Sequence, residues 1–375
     1  MRNGSITTEA FSAVTASTVT TGAARAATGY CAQRRFAATA CFWLIAWLAL
    51  ACLPACSTGQ KAKPAPLPND SLSYPTLELN NDTLRMVLYL PDPEHGFYRG
   101  TRFDWSGMIE RVEYAGHRFY QPFQAQHDPY GHDHVSGPAE EFGMDNPPGF
   151  DEAAAGEPFV KIGVGLLRKG AEPNYRFNGD YELVRAGDWA VARGPDWVEF
   201  EQALSAPRGW GYRYQKRIQL IAGQPAFTIS HRLENSGSKT IATNHYNHNF
   251  TLIDGTPYGP DYDVQFPFLA KPEQAINQHA WFRANGIEVQ RPLGEASLWL
   301  PVHPQPGPAS LNAGLVRNNK TGAAVRFQGD TPISKYIFWA VARAACPEPF
   351  IHLQLAPGQV QEWSTLYTLE VDSNQ

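Results

Sequence analysis

Four stretches of this chain alternate apolar and polar residues with the two-residue period of a strand, and they limit the fold more than anything else in it. They are Leu84-Arg85-Met86-Val87-Leu88-Tyr89-Leu90, Trp197-Val198-Glu199-Phe200, Tyr212-Arg213-Tyr214-Gln215-Lys216-Arg217-Ile218-Gln219-Leu220 and Phe227-Thr228-Ile229-Ser230-His231-Arg232-Leu233. Each is short, rich in β-branched or aromatic side chains, and bounded by Gly, Pro, Asn or Asp. Ala222-Gly223-Gln224-Pro225 and Asn235-Ser236-Gly237-Ser238-Lys239 are turn signals that join neighbouring strands. The 32 glycines and 30 prolines suit many turns and few long helices. The pattern predicts an all-β, antiparallel domain over residues 72–372. No internal repeat of roughly 20–50 residues is visible, which argues against a propeller or solenoid.

The N-terminal residues read as a targeting segment. Arg34 and Arg35 precede the apolar run from Cys41 to Leu50, and Leu53-Pro54-Ala55-Cys56 follows. A basic flank, a short apolar core and small residues describe a secretory signal, here within residues 1–55 with an over-extended start upstream. Leu-x-Ala-Cys resembles a bacterial lipobox, which implies cleavage before Cys56 and lipidation of its thiol. Ser57 favours the outer membrane, facing the periplasm, by resemblance to sorting patterns. Residues 56–71, with Pro64, Pro66 and Pro68, read as a flexible tether. Taking the four basic residues and one acidic residue of 1–55 from 31 Lys+Arg and 36 Asp+Glu leaves 27 against 35. That acidic balance, with no basic cluster, makes nucleic acid an unsuitable partner. With Cys56 lipidated, Cys346 has no disulfide partner, so an exported chain must rely on a large core. It is expected to work as a monomer.

Two stretches resist a strand reading. Residues 121–158 hold Gln126-His127-Asp128-Pro129-Tyr130-Gly131-His132-Asp133-His134 and Glu140-Glu141, and residues 254–268 hold Gly255, Pro257, Gly259 and Pro260. Long polar loops on a β scaffold are where binding residues collect. Asp and His bunched at 127–134 could ligate a divalent ion, contact a substrate or form an ordinary turn. The spacing matches no closed metal template, so no metal and no cofactor is assigned.

Thr243-Asn244-His245-Tyr246-Asn247-His248-Asn249-Phe250 carries two imidazoles among amides and aromatics. In an extended strand His245 and Asn247 face one side while Tyr246, His248 and Phe250 face the other. Further on, Pro347-Glu348-Pro349 sets one carboxylate between two prolines. A His and a Glu brought together across a sheet are a minimum kit for moving protons on a neutral, polyhydroxylated substrate.

Asn247-His248, then Phe250, Leu252 and Asp254-Gly255, resemble the Asn-His-x-x-Phe-x-Leu-x-Gly segment of the aldose 1-epimerase (galactose mutarotase-like) superfamily. Phe338-Trp339, Cys346-Pro347-Glu348, Leu353 and Leu355 before Pro357-Gly358, and Trp363 with Tyr367 resemble its final strands. The resemblance implies an antiparallel β-supersandwich. It also implies that His248 protonates the ring oxygen of a sugar while Glu348 takes the proton of its anomeric hydroxyl. A nearby carboxylate raises an imidazole pKa, so Glu348 is expected ionised and His248 protonated, or able to share a proton, near neutral pH. His245, Tyr246 and Asn247 would line the sugar site. Arg99, Arg102 and Trp105 lie where an arginine-bearing binding loop is expected, with an Arg102–Asp104 ion pair as the structural alternative. The pattern also departs from the family. Residues 264–329 contain no Asp to grip sugar hydroxyls, and His132 and His134 are the nearest candidates for a Leu-His-Gly-Gly histidine. The sugar pocket is therefore expected to have been rebuilt.

Three functions follow. The first is an isomerase of aldose 1-epimerase type, acting by acid–base ring opening and closing. The second is a carbohydrate-binding lipoprotein without turnover. The third is a polysaccharide lyase or hydrolase on a similar sandwich, with His134 and Arg102 as its candidate machinery.

Overall fold

The alternating stretches pair with their sequence neighbours, as short turns dictate. The computed structural model describes residues 74–272, 277–304 and 312–372. The signal region 1–55, Cys56 and the tether 56–71 lie outside the described residues. β1 (Thr76–Asn80), β2 (Arg85–Tyr89), β3 (Ile109–Tyr114) and β4 (His117–Phe119) form a four-stranded sheet in that order. After β5 (Pro138–Phe142), the strands β6 (Pro158–Lys161), β7 (Gly165–Arg168) and β8 (Glu182–Ala186) form a small sheet of their own. β9 (Asp188–Arg193), β10 (Trp197–Ser205), β11 (Gly211–Leu220) and β12 (Ala226–Glu234) run as a meander.

From β13 (Ile241–Asn249) onward the chain feeds two large sheets. Its remaining strands are β14 (Tyr262–Gln265), β15 (Ala270–Pro272), β16 (Ala280–Arg283), β17 (Gly286–Val289), β18 (Leu298–Pro304), β19 (Ala313–Asn318), β20 (Ala323–Gly329), β21 (Lys335–Val341), β22 (Ala344–Leu355) and β23 (Val360–Val371). The ten-stranded sheet has the order β16-β17-β14-β19-β20-β23-β12-β11-β10-β9, and the six-stranded sheet the order β15-β18-β21-β22-β13-β5. Their pairings are antiparallel throughout, as predicted. Among the described residues the only other regular element is a 3-10 turn at Pro207–Gly209.

Period-two alternation then decides what each face meets. Phe227, Ile229, Phe327 and Tyr367 of the ten-stranded sheet share one buried cluster with Tyr336, Phe338 and Ala345 of the six-stranded sheet. The opposite face of the six-stranded sheet is also covered. Ala139, Phe250 and Cys346 join Phe103, Trp105 and Phe123 in a second cluster, so the segment around 97–123 roofs that face. Cys346 is a buried free thiol.

Two strands form inside stretches expected to be loops, β5 within 121–158 and β14 within 254–268. β5 reads Pro-Ala-Glu-Glu-Phe, yet all five residues are buried. Its acids are neutralised by cations from distant strands, which local propensity cannot register. Gly137 sets the approach to β5. It has φ +67°, and a Cβ there would lie 2.6 Å from the Ile109 carbonyl oxygen. Gly137→Ala is expected to destabilise the fold by roughly 1–3 kcal/mol, read by urea unfolding.

Candidate active site

β13 and β22 form a regular ladder from Ile241 opposite Leu355 to Tyr246 opposite Phe350, and there it stops. The next residues of β22 that face β13 are Pro349 and Pro347, which have no N–H to give. Beyond the gap a bridge between Thr251 and Ala345 keeps the same register. Within it, Asn249 Nδ2 donates to the Pro347 carbonyl at 2.8 Å, a side chain standing in for the missing ladder. His248 and Glu348 oppose each other in this interval. The paired prolines thus do local structural work, relaxing the sheet where two titratable side chains meet.

His248 Nε2 lies 3.1 Å from Glu348 Oε1. Both residues are buried, with 5% and 3% of their surface exposed. His248 stacks on Phe250 at a centroid distance of 3.9 Å, and the Phe103 and Trp339 rings meet it edge-on at 5.8 and 5.4 Å. His248 Nδ1 and Glu348 Oε1 have no hydrogen-bond partner. Buried polar atoms without a partner are uncommon, and they mark places where a ligand's hydroxyls can bond.

Burial sets the charge of this pair, and with the opposite sign to the sequence expectation. Desolvation pushes Glu348 up to about 8, against the smaller pull of Arg102. Desolvation also drives the His248 imidazole well below its ordinary value, and Arg102 adds to it. At neutral pH the closed pair therefore holds its one proton on Glu348, with a neutral imidazole beside it. The expected protonated His248 and ionised Glu348 do not describe this closed arrangement, because neither charge is solvated there.

The same architecture occurs in solved structures of low sequence identity. The Slr1438 protein of Synechocystis sp. PCC 6803 shares 14% identity at a TM-score of 0.51, over 82% of this chain and 100% of that one. A candidate aldose 1-epimerase of Escherichia coli K12 shares 15% at 0.50, over 79% and 99%. A galactose mutarotase related enzyme of Lactobacillus acidophilus shares 10% at 0.50, over 80% and 99%. The fold is that of the aldose 1-epimerases. No protein-family model and no curated protein matches the sequence, so the likeness lies in the backbone.

In this aldose 1-epimerase fold, two buried ion networks flank the pair, one on each side of β5. Glu141 faces the same side as His248. It takes Arg102 Nε and Lys161 Nζ, each at 2.9 Å, and accepts from the Tyr246 hydroxyl at 2.7 Å, while Arg102 Nη2 donates to that hydroxyl. Burial alone would raise Glu141, but Lys161 and Arg102 outweigh it and hold it below the usual carboxylate range. Glu140 faces the other way, into the core. Lys216 Nζ is 2.5 Å from it, His231 Nε2 3.0 Å and His245 Nε2 4.0 Å.

Glu140, His231 and His245 place one ligand atom each within 4.8 Å of one another, the spacing of a metal site. The Lys216 ammonium already supplies the positive charge at Glu140, and it also reaches Asp104 at 3.4 Å. The group therefore reads as a charge-balanced strut. A separate cleft of about 410 Å³ on the ten-stranded sheet is lined by charges that are already paired, such as Arg217 with Glu199 and Arg232 with Glu362.

The remaining residues expected at the site fall into three places. Tyr246 shares the outer face with His248, and Arg102 is tied to it, but Arg102 pairs with Glu141 while Asp104 pairs with Lys216. His245 and Asn247 point away from the pair. His245 lies against Glu140, and Asn247 Nδ2 donates to Tyr367 at 2.8 Å, so a sugar held by His248 cannot touch either. Trp105 is core as well, its Nε1 donating to the Gly100 carbonyl. The third place is the surface loop. His134 Nδ1 accepts from the Asp128 N–H, the His132 carbonyl accepts from Tyr98, and Arg99 donates to the Glu94 carbonyl under the Tyr130 ring. Residue-by-residue reasoning missed Lys161, Lys216 and His231. Their signal is spatial, since each meets its carboxylate from a different strand.

Proposed function

We propose that the protein is an enzyme of aldose 1-epimerase type, in which His248 and Glu348 exchange one proton each way with a sugar at its anomeric centre. The observation that carries this reading is the cross-strand contact of 3.1 Å between His248 and Glu348, at a proline-made gap and beneath aromatic rings. The pair holds one proton in total, which is what the reaction requires. One member gives its proton to the ring oxygen while the other takes the anomeric hydroxyl proton. The C1–O5 bond breaks, C1 becomes an aldehyde, and the pair still holds one proton, now on the other member. Rotation about C1–C2 and the reverse transfers close the ring on the opposite face.

Burial favours the neutral form of the empty pair. A sugar set between the two groups offers hydroxyls to both, relieves their desolvation, and moves the proton toward His248. That restores the assignment implied by the family resemblance. Polarimetry of freshly dissolved α-glucose, α-galactose and a uronic acid tests the proposal. Faster approach to equilibrium for at least one sugar is expected, and unchanged rates across the panel would remove it.

A second reading, sugar binding without turnover, is favoured by the Phe250 and Trp339 rings around His248, which suit the apolar face of a sugar whether or not protons move. It expects sugar affinity to survive in Glu348→Gln with no exchange in the wild type. Neither reading depends on export, which rests on the N-terminal sequence alone. There we propose lipidation at Cys56 and a periplasm-facing outer-membrane location. Cys56→Ser is expected to move the protein from the membrane fraction to the soluble one.

A further inference from the structure

The carbonyl that precedes Glu348 is held by a string of buried hydrogen bonds that reaches across to the other sheet. Thr251 and Ala345 exchange both ladder bonds, so in the same register Asn249 and Pro347 occupy the next hydrogen-bonded position. Pro347 cannot complete it. The Asn249 carbonyl accepts instead from the Thr251 N–H at 2.6 Å and from the Thr251 hydroxyl at 3.2 Å. The Pro347 carbonyl takes Asn249 Nδ2 at 2.8 Å. His248 and Glu348 fall between two such positions, where opposed side chains stand closest. A carbonyl only accepts, which turns the Asn249 amide so that its Oδ1 faces Tyr367. The Tyr367 hydroxyl donates to that oxygen at 3.0 Å and accepts from Asn247 Nδ2 at 2.8 Å. Tyr367 belongs to β23 of the ten-stranded sheet, while Asn247 and Asn249 belong to β13 of the six-stranded one. All three residues are buried.

We infer that Tyr367 and Asn249 are positioning residues for the His248–Glu348 pair: they fix the Pro347 carbonyl, and with it the backbone of Glu348, so that carboxyl and imidazole face each other across the proline gap. For its catalytic consequence the inference rests on the proposed sugar chemistry of that pair. The Pro347 carbonyl and the Glu348 N–H belong to one rigid peptide plane, so turning the carbonyl turns Glu348 with it. The two prolines have removed the ladder bonds that would otherwise hold that plane. Asn249 and Tyr367 lie on the core side of β13, so neither touches a sugar held by His248 on the outer side. Buried amides and hydroxyls are costly to leave unpaired, and this string satisfies its members in one arrangement only. Burial pushes the Tyr367 phenol well above its ordinary value, so its hydroxyl stays a donor. Asn247, expected at the sugar, anchors the far end of the string instead, where Thr365 Oγ1 also accepts from it at 3.4 Å.

A pH titration of the His248 ring by 15N NMR, on the full chain without sugar, tests the geometry, and anomer exchange on glucose and galactose tests its consequence. Burial pushes Glu348 up to about 8 in the wild type. The His248 nitrogens, assigned by their loss in His248→Ala, report that step through the 3.1 Å contact. Tyr367→Phe removes one hydroxyl and keeps the ring that stacks on Phe227. In it the step is expected about one pH unit lower, because a Glu348 free to turn reaches solvent. Exchange at saturating sugar is expected to slow about 10–10²-fold with KM held within about twofold, a split that a loss of stability alone does not produce. Asn249→Ser, too short to reach the Pro347 carbonyl, should act in the same direction and decides the matter if Tyr367→Phe does not fold. Ile287→Ala, which weakens the same core from the far side of the ten-stranded sheet, should move neither readout. An unmoved titration step in folded Tyr367→Phe would overturn the inference, as would an equal displacement in Ile287→Ala. Wild-type exchange that Tyr367→Phe leaves intact defeats this inference and leaves the enzymatic reading standing. A displaced step in Tyr367→Phe, with no exchange on either sugar by the wild type, keeps the positioning role and counts against the enzymatic reading.

Discussion

Lys216→Met is expected to cost the fold about 3–5 kcal/mol, because it removes the cation between two buried carboxylates. Lys216 Nζ sits 2.5 Å from Glu140 and 3.4 Å from Asp104, and it donates to the Ser106 carbonyl at 2.8 Å. Methionine matches the length of the stem, so the loss is electrostatic rather than a cavity. Burial opposes the charge on Glu140, yet His231 and Lys216 hold its pKa below the ordinary value. Without the ammonium, one of the two carboxylates must take up a proton or the fold is lost. The sign with pH follows. Glu140 contributes stability that is present above its unfolded pKa and is lost as pH falls through its depressed folded value. The penalty of Lys216→Met should therefore shrink on acidification, as Glu140 takes up a proton. Urea unfolding followed by tryptophan fluorescence at two pH values reads both effects. Lys216→Met combined with Glu140→Gln should recover part of the loss. A cost below about 1 kcal/mol would mean that the network is solvated.

Glu348→Gln is expected to change the pH dependence of stability more than any other single substitution at the site. The folded carboxyl is pushed from its ordinary value of 4.5 up to about 8, chiefly by burial. The unfolded chain releases that proton near its ordinary value while the folded chain keeps it. At this group the folded state therefore binds more protons in this window, and the contribution of Glu348 to stability falls as pH rises from about 4.5 to about 8. At 1.36 kcal/mol per pKa unit, the whole window amounts to roughly 4–5 kcal/mol. A glutamine neither gains nor loses a proton, so the variant should lack this fall and keep the rise toward pH 6.5 that comes from the depressed His248. The difference between the two proteins should grow toward alkaline pH in favour of the variant. Parallel stability curves from pH 5 to 9 would show that Glu348 is solvated and ionised, which the buried pair does not allow.

Much of the scaffold was legible in the sequence, for definite reasons. Residues 212–220 and 227–233 carry uninterrupted period-two alternation between turn signals, and they form β11 and β12 almost to the residue. Alternation also separated His245 from His248 onto opposite faces. It could not say which face is core, because both faces of β13 are buried. β5 was illegible for a related reason. Glu140 and Glu141 read as loop acids until Lys216, Lys161 and Arg102 arrive from elsewhere in the chain. The prolines around Glu348 were visible, but their effect depends on β13 lying beside them. The charge state of the pair was misjudged because proximity can be inferred from a motif, whereas desolvation depends on the roof of Phe103, Phe250 and Trp339.

The central claim is that His248 and Glu348 pass one proton back and forth across a sugar. Two-dimensional NMR exchange between the α and β anomers of a sugar that the wild type turns over measures that transfer directly. The account predicts cross-peaks between the anomers with wild-type protein, and a loss of about 10²–10⁴-fold in exchange rate for both His248→Ala and Glu348→Gln while each remains folded. Exchange that persists at the wild-type rate in either folded variant would contradict it.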